Sequence, residues 1–175
     1  MLLISLGGKV NIGKSFKGEI GVHLVASKFF AMNYIALPTS RNVKGYDIVV
    51  FNPQTNKGVG IQVKCTDTPQ NGFPMVNIKF SNYREVIKKK ILAPCVFVDI
   101  SNMETPKYFI VPKDEVARIL MEDIQSHINR MKQTDPKKLK EKMRPDYPKP
   151  DLWTIELSDI EKYKNNWKAI TDLLI

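Results

Sequence analysis

The first apolar stripe, Val22, Val25, Ala26, Phe29 and Phe30, recurs at helical spacing and predicts a helix over residues 14–33. Glu19 falls in the first turns of that helix, where a negative charge complements the dipole. A short strand is expected at 34–38, then a polar, basic loop over 39–45. Asp47 to Phe51 and Val59 to Cys65 are both β-rich, and the turn signal Asn52-Pro53-Gln54-Thr55-Asn56-Lys57-Gly58 between them makes a hairpin. In its second strand Val59, Ile61, Val63 and Cys65 alternate with Gln62 and Lys64. The apolar set therefore seals a core and the polar pair shares the opposite face. Opposed Cβ atoms in a strand pair lie only ~5 Å apart, so Asp47 can join Gln62 and Lys64 from the neighbouring strand. A helix packed nearby would bring Glu19.

Downstream, the pattern predicts a strand at 75–80 and a short basic helix from Asn82 through Lys88-Lys89-Lys90. Two further strands are expected at 92–100 and 108–111. Pro112 opens a helix running to about Met131, with Asp114 and Glu115 in its first turn. Residues 132–150 are rich in Lys and Pro and read as a basic loop or flexible arm. Ser158-Asp159-Ile160-Glu161 reads as a capping box for a last helix over 158–174 that carries Tyr163, Trp167 and Ile170. The expectation is one α/β domain spanning 1–175, with a central mixed sheet flanked by helices and a core over about 14–131.

Charge sharpens this picture. The chain of 175 residues has a net charge of +9, and residues 1–64 hold eight Lys and Arg against only two carboxylates, Glu19 and Asp47. The excess lies where the polar constellation lies, as an anionic partner such as nucleic acid would favour. The two cysteines, Cys65 and Cys95, are thirty residues apart with no CxxC pair, which indicates neither a zinc site nor a disulfide framework. The opening Met-Leu-Leu-Ile-Ser-Leu-Gly-Gly is too short for a signal peptide, and no run reaches the ~18 apolar residues of a membrane span. A cytoplasmic protein without a membrane partner is expected.

The order Glu19 on a helix, Gly45-Tyr46-Asp47 entering a strand, a turn, and Ile61-Gln62-Val63-Lys64 on the next strand resembles the PD-(D/E)XK nuclease superfamily, also called the restriction-endonuclease-like fold. The likeness covers residues 14–66 and is closest to small bacterial members with a Gln-Val-Lys-Cys or Gln-Val-Lys-Thr ending. It implies a restriction-endonuclease-like sheet and a Mg²⁺- or Mn²⁺-dependent endonuclease acting on DNA, with RNA left open as a substrate. It further implies that Asp47 is the main metal ligand, Gln62 a second and Glu19 a third, direct or through water. Lys64 would position water or stabilise charge on the phosphate.

The physical logic agrees, since Mg²⁺ is usually held by one or two protein carboxylates with water and phosphate completing its shell. Two departures stand out: Tyr46 replaces the proline of the motif, and Gln62 replaces its second acid, leaving two anions rather than three. Lys14, Lys17, Arg41, Lys44 and His23 flank the constellation as phosphate contacts, whereas Lys88 to Lys90 read as a solvated face. Many members of the superfamily are homodimers, so a homodimer is expected. Trp153 and Trp167 would lie at its interface or in the core. The alternative reading is a catalytically silent, nuclease-derived module that binds nucleic acid or a protein.

Overall fold

The structure, a computed structural model, describes residues 12–40 and 44–175. It is an α/β fold built on a mixed five-stranded sheet. Helix α1 (Lys14–Ala31) leads into β1 (Ile35–Pro38), β2 (Ile48–Asn52) and β3 (Lys57–Thr66). Then come β4 (Phe73–Ile78), α2 (Tyr83–Lys90), β5 (Cys95–Asp99) and β6 (Lys107–Val111). The chain closes with α3 (Lys113–Thr134), α4 (Pro136–Lys142), β7 (Asp151–Ile155) and two single turns, α5 (Leu157–Ile160) and α6 (Lys168–Thr171). The sheet order is β1-β2-β3-β5-β6, with β3 and β5 parallel and the other neighbours antiparallel. Strand β5 is buried on both faces, as its unbroken apolar run Cys95-Val96-Phe97-Val98 requires.

The alternation along β3 divides the interior. Ile61 and Val63 join Val25, Ala26 and Phe29 of α1 in one core, and Gly21 sits directly against Val63 and Cys65. The other face of the sheet packs Cys95, Phe97, Phe109 and Val111 against α2, α3 and a separate antiparallel ribbon of β4 with β7. Phe73 of β4 meets Phe97 edge-on at 5.1 Å, an arrangement worth about 0.5–1.5 kcal/mol beyond its burial. That contact fixes the ribbon over the middle of the sheet. The covering layer stops short of β1 and β2, where Ile35, Leu37 and Val49 stay exposed. Asp47 and Gln62 lie at the boundary between covered and open sheet.

Several elements depart from the sequence pattern. Residues 132–150 are not a loop throughout: Asp135 caps α4 by accepting from the Lys138 amide, Pro136 takes its first turn, and Leu139 is buried. The Lys142 ammonium then bonds both oxygens of Asp151 at 3.0 and 2.8 Å, tying α4 to the ribbon. The expected helix over 158–174 is broken into short turns by Asn165 at φ 54, beside a bridge from Lys164 to Phe109. Its capping box is formed by Glu156 and Asp159, not by Ser158 and Glu161. Phe30, expected in the apolar stripe of the first helix, points to solvent, 54% exposed. Trp153 is buried against Phe80 and His127, and Trp167 packs on Phe29 and Tyr108, so both rings serve the chain's own core. No described helix is long and apolar enough to cross a membrane.

Candidate active site

Asp47 stands one residue before β2 begins. Gly45, at φ +87, makes the turn that delivers it, and Thr39 clamps the segment by donating its hydroxyl to Tyr46 O (2.6 Å) and its amide to Asp47 O (3.0 Å). Where the ladder between β2 and β3 runs out, the Asp47 amide still donates to Ile61 O at 2.8 Å. Its Oδ2 then accepts the next amide, Val63 N–H, at 2.7 Å. A carboxylate held by a backbone amide is fixed in direction. The Tyr46 ring lies flat against Gly60, closing the space above the strand.

The register pairs Ile48 with Ile61, which puts Asp47 across from Gln62 on one face of the sheet. Gln62 and Lys64 share that face and sit beside Cys95 and Phe97 of β5. The Cys95 thiol donates weakly to Gln62 Oε1 at 3.5 Å. Burial pushes this thiol up to about 12. Asp47, Gln62 and Lys64 thus share one face of the sheet, with Gln62 against the Cys95 sulfur. Asp47 Oδ1 and the Lys64 ammonium have no hydrogen-bond or ion-pair partner among the described residues, and Gln62 Oε1 keeps a lone pair.

Two clefts flank this strip. One, of about 510 Å³, has Gln62 on its wall with Gly45, Lys44, Lys89 and Lys90. The second, of about 420 Å³, has Lys64 on its wall with Lys14, Lys17 and Gly18 from the first turns of α1. Pro74 and Leu152, from the ribbon of β4 and β7, line both and form the ridge between them. Each cleft wall holds three lysines and no carboxylate. Lys17 is paired with Asp67 at 2.5 Å, and Lys89 with Glu85 at 2.6 Å.

Other expected site residues fall elsewhere. Asp47 lies next to the cleft-lining Gly45 and Gln62 without itself lining a cleft. Glu19 and His23 are exposed on α1, which packs on the sheet face opposite Gln62 and Lys64, and neither lines a cleft. Arg41 lies outside the described residues. Lys89 and Lys90 are not simply a solvated face, since α2 carries them to the cleft beside Gln62. The ridge residues Pro74 and Leu152 were missed, because the pairing that brings β7 back to β4 leaves no local signal.

The donor set suits a hard divalent cation in kind, being one carboxylate oxygen and one amide oxygen on adjacent strands. No cluster of three or more His, Cys, Asp or Glu with metal-holding geometry occurs among the described residues. No protein-family model matches the chain, and no curated protein or solved structure is a significant match.

Proposed function

We propose that the protein is a metal-dependent endonuclease that hydrolyses phosphodiester bonds in DNA, with a restriction-endonuclease-like fold organised in one domain. The observation that carries this reading is the convergence of Asp47, Gln62 and Lys64 on one face of the sheet at the foot of two lysine-lined clefts. Asp47 Oδ1 and Gln62 Oε1 are the oxygens offered to Mg²⁺ or Mn²⁺. When bound, such a cation supplies Lewis acidity at the phosphoryl group. Lys64 contributes a compact positive charge where the phosphorane-like transition state gains negative charge, and its half-buried setting strengthens that interaction. The Val63 amide and the Thr39 clamp hold Asp47 in place, so the site is organised before substrate arrives. Lys14 and Lys44 offer phosphate contacts from opposite ends of the strip, and cutting both strands of a duplex would require two copies of the site in a homodimer.

One feature favours a second reading, a module that binds DNA without cutting. Gln62 brings no charge and already accepts from Cys95, which weakens the site for a cation. Incubation with supercoiled plasmid separates the two. The endonuclease nicks it with Mg²⁺ or Mn²⁺, stops with EDTA, and loses this activity in Asp47→Asn. Wild-type protein that retains DNA without nicking DNA or RNA under either cation would leave only the binding module.

A further inference from the structure

The proposed active strip does not lie on an open surface. Gln62 and Lys64, two residues apart and therefore about 7 Å from each other along β3, open into separate clefts. The ridge of Pro74 and Leu152 stands between those clefts. Volumes of about 510 and 420 Å³ are those of small-ligand sites. A single strand fits this relief, since its phosphates can follow the lysines of both walls while its bases turn away from them.

Leu152 is the second observation. It is 57% exposed on β7, paired in register with Asn77 of β4, and next to the buried Trp153. An isolated exposed leucine is ordinary. This one is distinguished by its place: it tops the wall the two clefts share, with Lys44, Lys89 and Lys90 on one side and Lys14, Lys17 and Lys64 on the other. Its support is rigid. Trp153 and Ile155 anchor β7 in the core, Asp151 is held by Lys142, and the register irregularity between Pro74 and Val76 bends β4 at the ridge. Apolar side chains of minor-groove binding proteins insert between base steps and partly unstack them, and Leu152 is presented in a comparable way between two lysine-lined clefts.

We infer that the site takes a locally unpaired DNA strand, with Leu152 as the wedge that holds two neighbouring bases apart over the Gln62 and Lys64 strip. Asp47, Gln62 and Lys64 would then meet the phosphate below the separated bases. This rests on reading the strip as a nucleic-acid site, but not on its cutting activity.

The test is binding in EDTA, where nothing is cut, to a blunt duplex and to the same duplex ending in an unpaired fork, read by fluorescence anisotropy. Wild-type protein should bind the fork on the order of tenfold more tightly. Leu152→Ala should bring the fork down to the duplex affinity without changing the latter, Leu152→Phe should retain the preference, and Leu173→Ala, an exposed leucine by the Asn52 turn at the far end of the hairpin, should leave it unchanged. Equal binding of fork and duplex by wild-type protein, or an undiminished preference in Leu152→Ala, overturns the inference. Fork preference in a protein that never cuts upholds the wedge while refuting the nuclease. Metal-dependent cutting without any fork preference refutes the wedge alone.

Discussion

Replacing Asp47 by alanine removes more than a proposed metal ligand. Its Oδ2 is the acceptor for Val63 N–H at 2.7 Å, and Val63 is only 9% exposed, so water has little access to the amide left behind. An orphaned, largely buried donor costs about 1–3 kcal/mol. For a chain of this size 1 kcal/mol moves Tm by about 2–4 °C, so a mid-range loss of about 2 kcal/mol lowers it by about 4–8 °C. Asp47→Asn keeps a side-chain oxygen in the same place and removes only the charge, so its stability should stay within about 1 kcal/mol of wild type. Urea denaturation followed by the fluorescence of Trp153 and Trp167, both packed in the core, measures the difference; the midpoint should fall for alanine while the slope is unchanged. Two results would refute the reasoning: an alanine variant as stable as the asparagine variant, or one more stable than wild type. Either would mean that the carboxylate is strained in its setting and not anchored by the Val63 amide. Asparagine is accordingly the cleaner substitution for activity measurements.

Three further outcomes follow from the geometry. A Cβ on Gly60 would sit 2.2 Å from the Tyr46 ring, so Gly60→Ala should displace that ring and the turn delivering Asp47. Plasmid nicking should drop at least as much as stability, and full activity in this variant would separate Tyr46 from the site. Burial pushes both thiols up to about 12, Cys65 with added repulsion from Asp67 and Asp99, so both stay in the unreactive thiol form at pH 8. Ellman's reagent should label the buried Cys95 only as fast as the protein unfolds, and rapid labelling of Cys95 would contradict the packing around β3 and β5. The Arg118 guanidinium, and after it the Tyr163 hydroxyl, hold the Glu115 carboxyl at about 2 instead of 4.5. A depressed carboxylate stabilises the fold above its unfolded pKa and loses that contribution as pH falls through the folded one. The Tm deficit of Glu115→Gln should therefore be constant above about pH 4.5 and vanish towards pH 2, whereas a deficit unchanged across that range would rule out the ionic tie.

Much of the site's scaffold was legible because its signals are local. The spacing of Val25, Ala26 and Phe29 marks α1, the Asn52 to Gly58 turn marks the hairpin, and the alternation in β3 puts Gln62 and Lys64 on the face away from Val63. What surrounds the site was not legible. Strand β7 reaches β4 across some seventy residues, so neither sequence announces the ridge that Leu152 and Pro74 build. Helix α4 hides in a Lys- and Pro-rich segment because a single buried residue, Leu139, anchors it. Lys89 and Lys90 look like any charged helix face until the fold turns α2 towards Gln62. Glu19 shows the opposite failure: its place in the motif order is clear, yet α1 lies on the other side of the sheet from the Gln62 and Lys64 face.

The account's central claim is that Asp47, Gln62 and Lys64 act as one cation-dependent site, and Mn²⁺ titration by calorimetry tests it most directly. Wild-type protein should bind the ion, Asp47→Asn should lose that binding, and Lys64→Ala should retain it while losing all nicking, because lysine acts on the phosphate and is not a ligand. Gln62→Glu should bind more tightly by adding an anion beside Asp47. Equal Mn²⁺ binding by wild type and Asp47→Asn, or none by wild type, would contradict the claim.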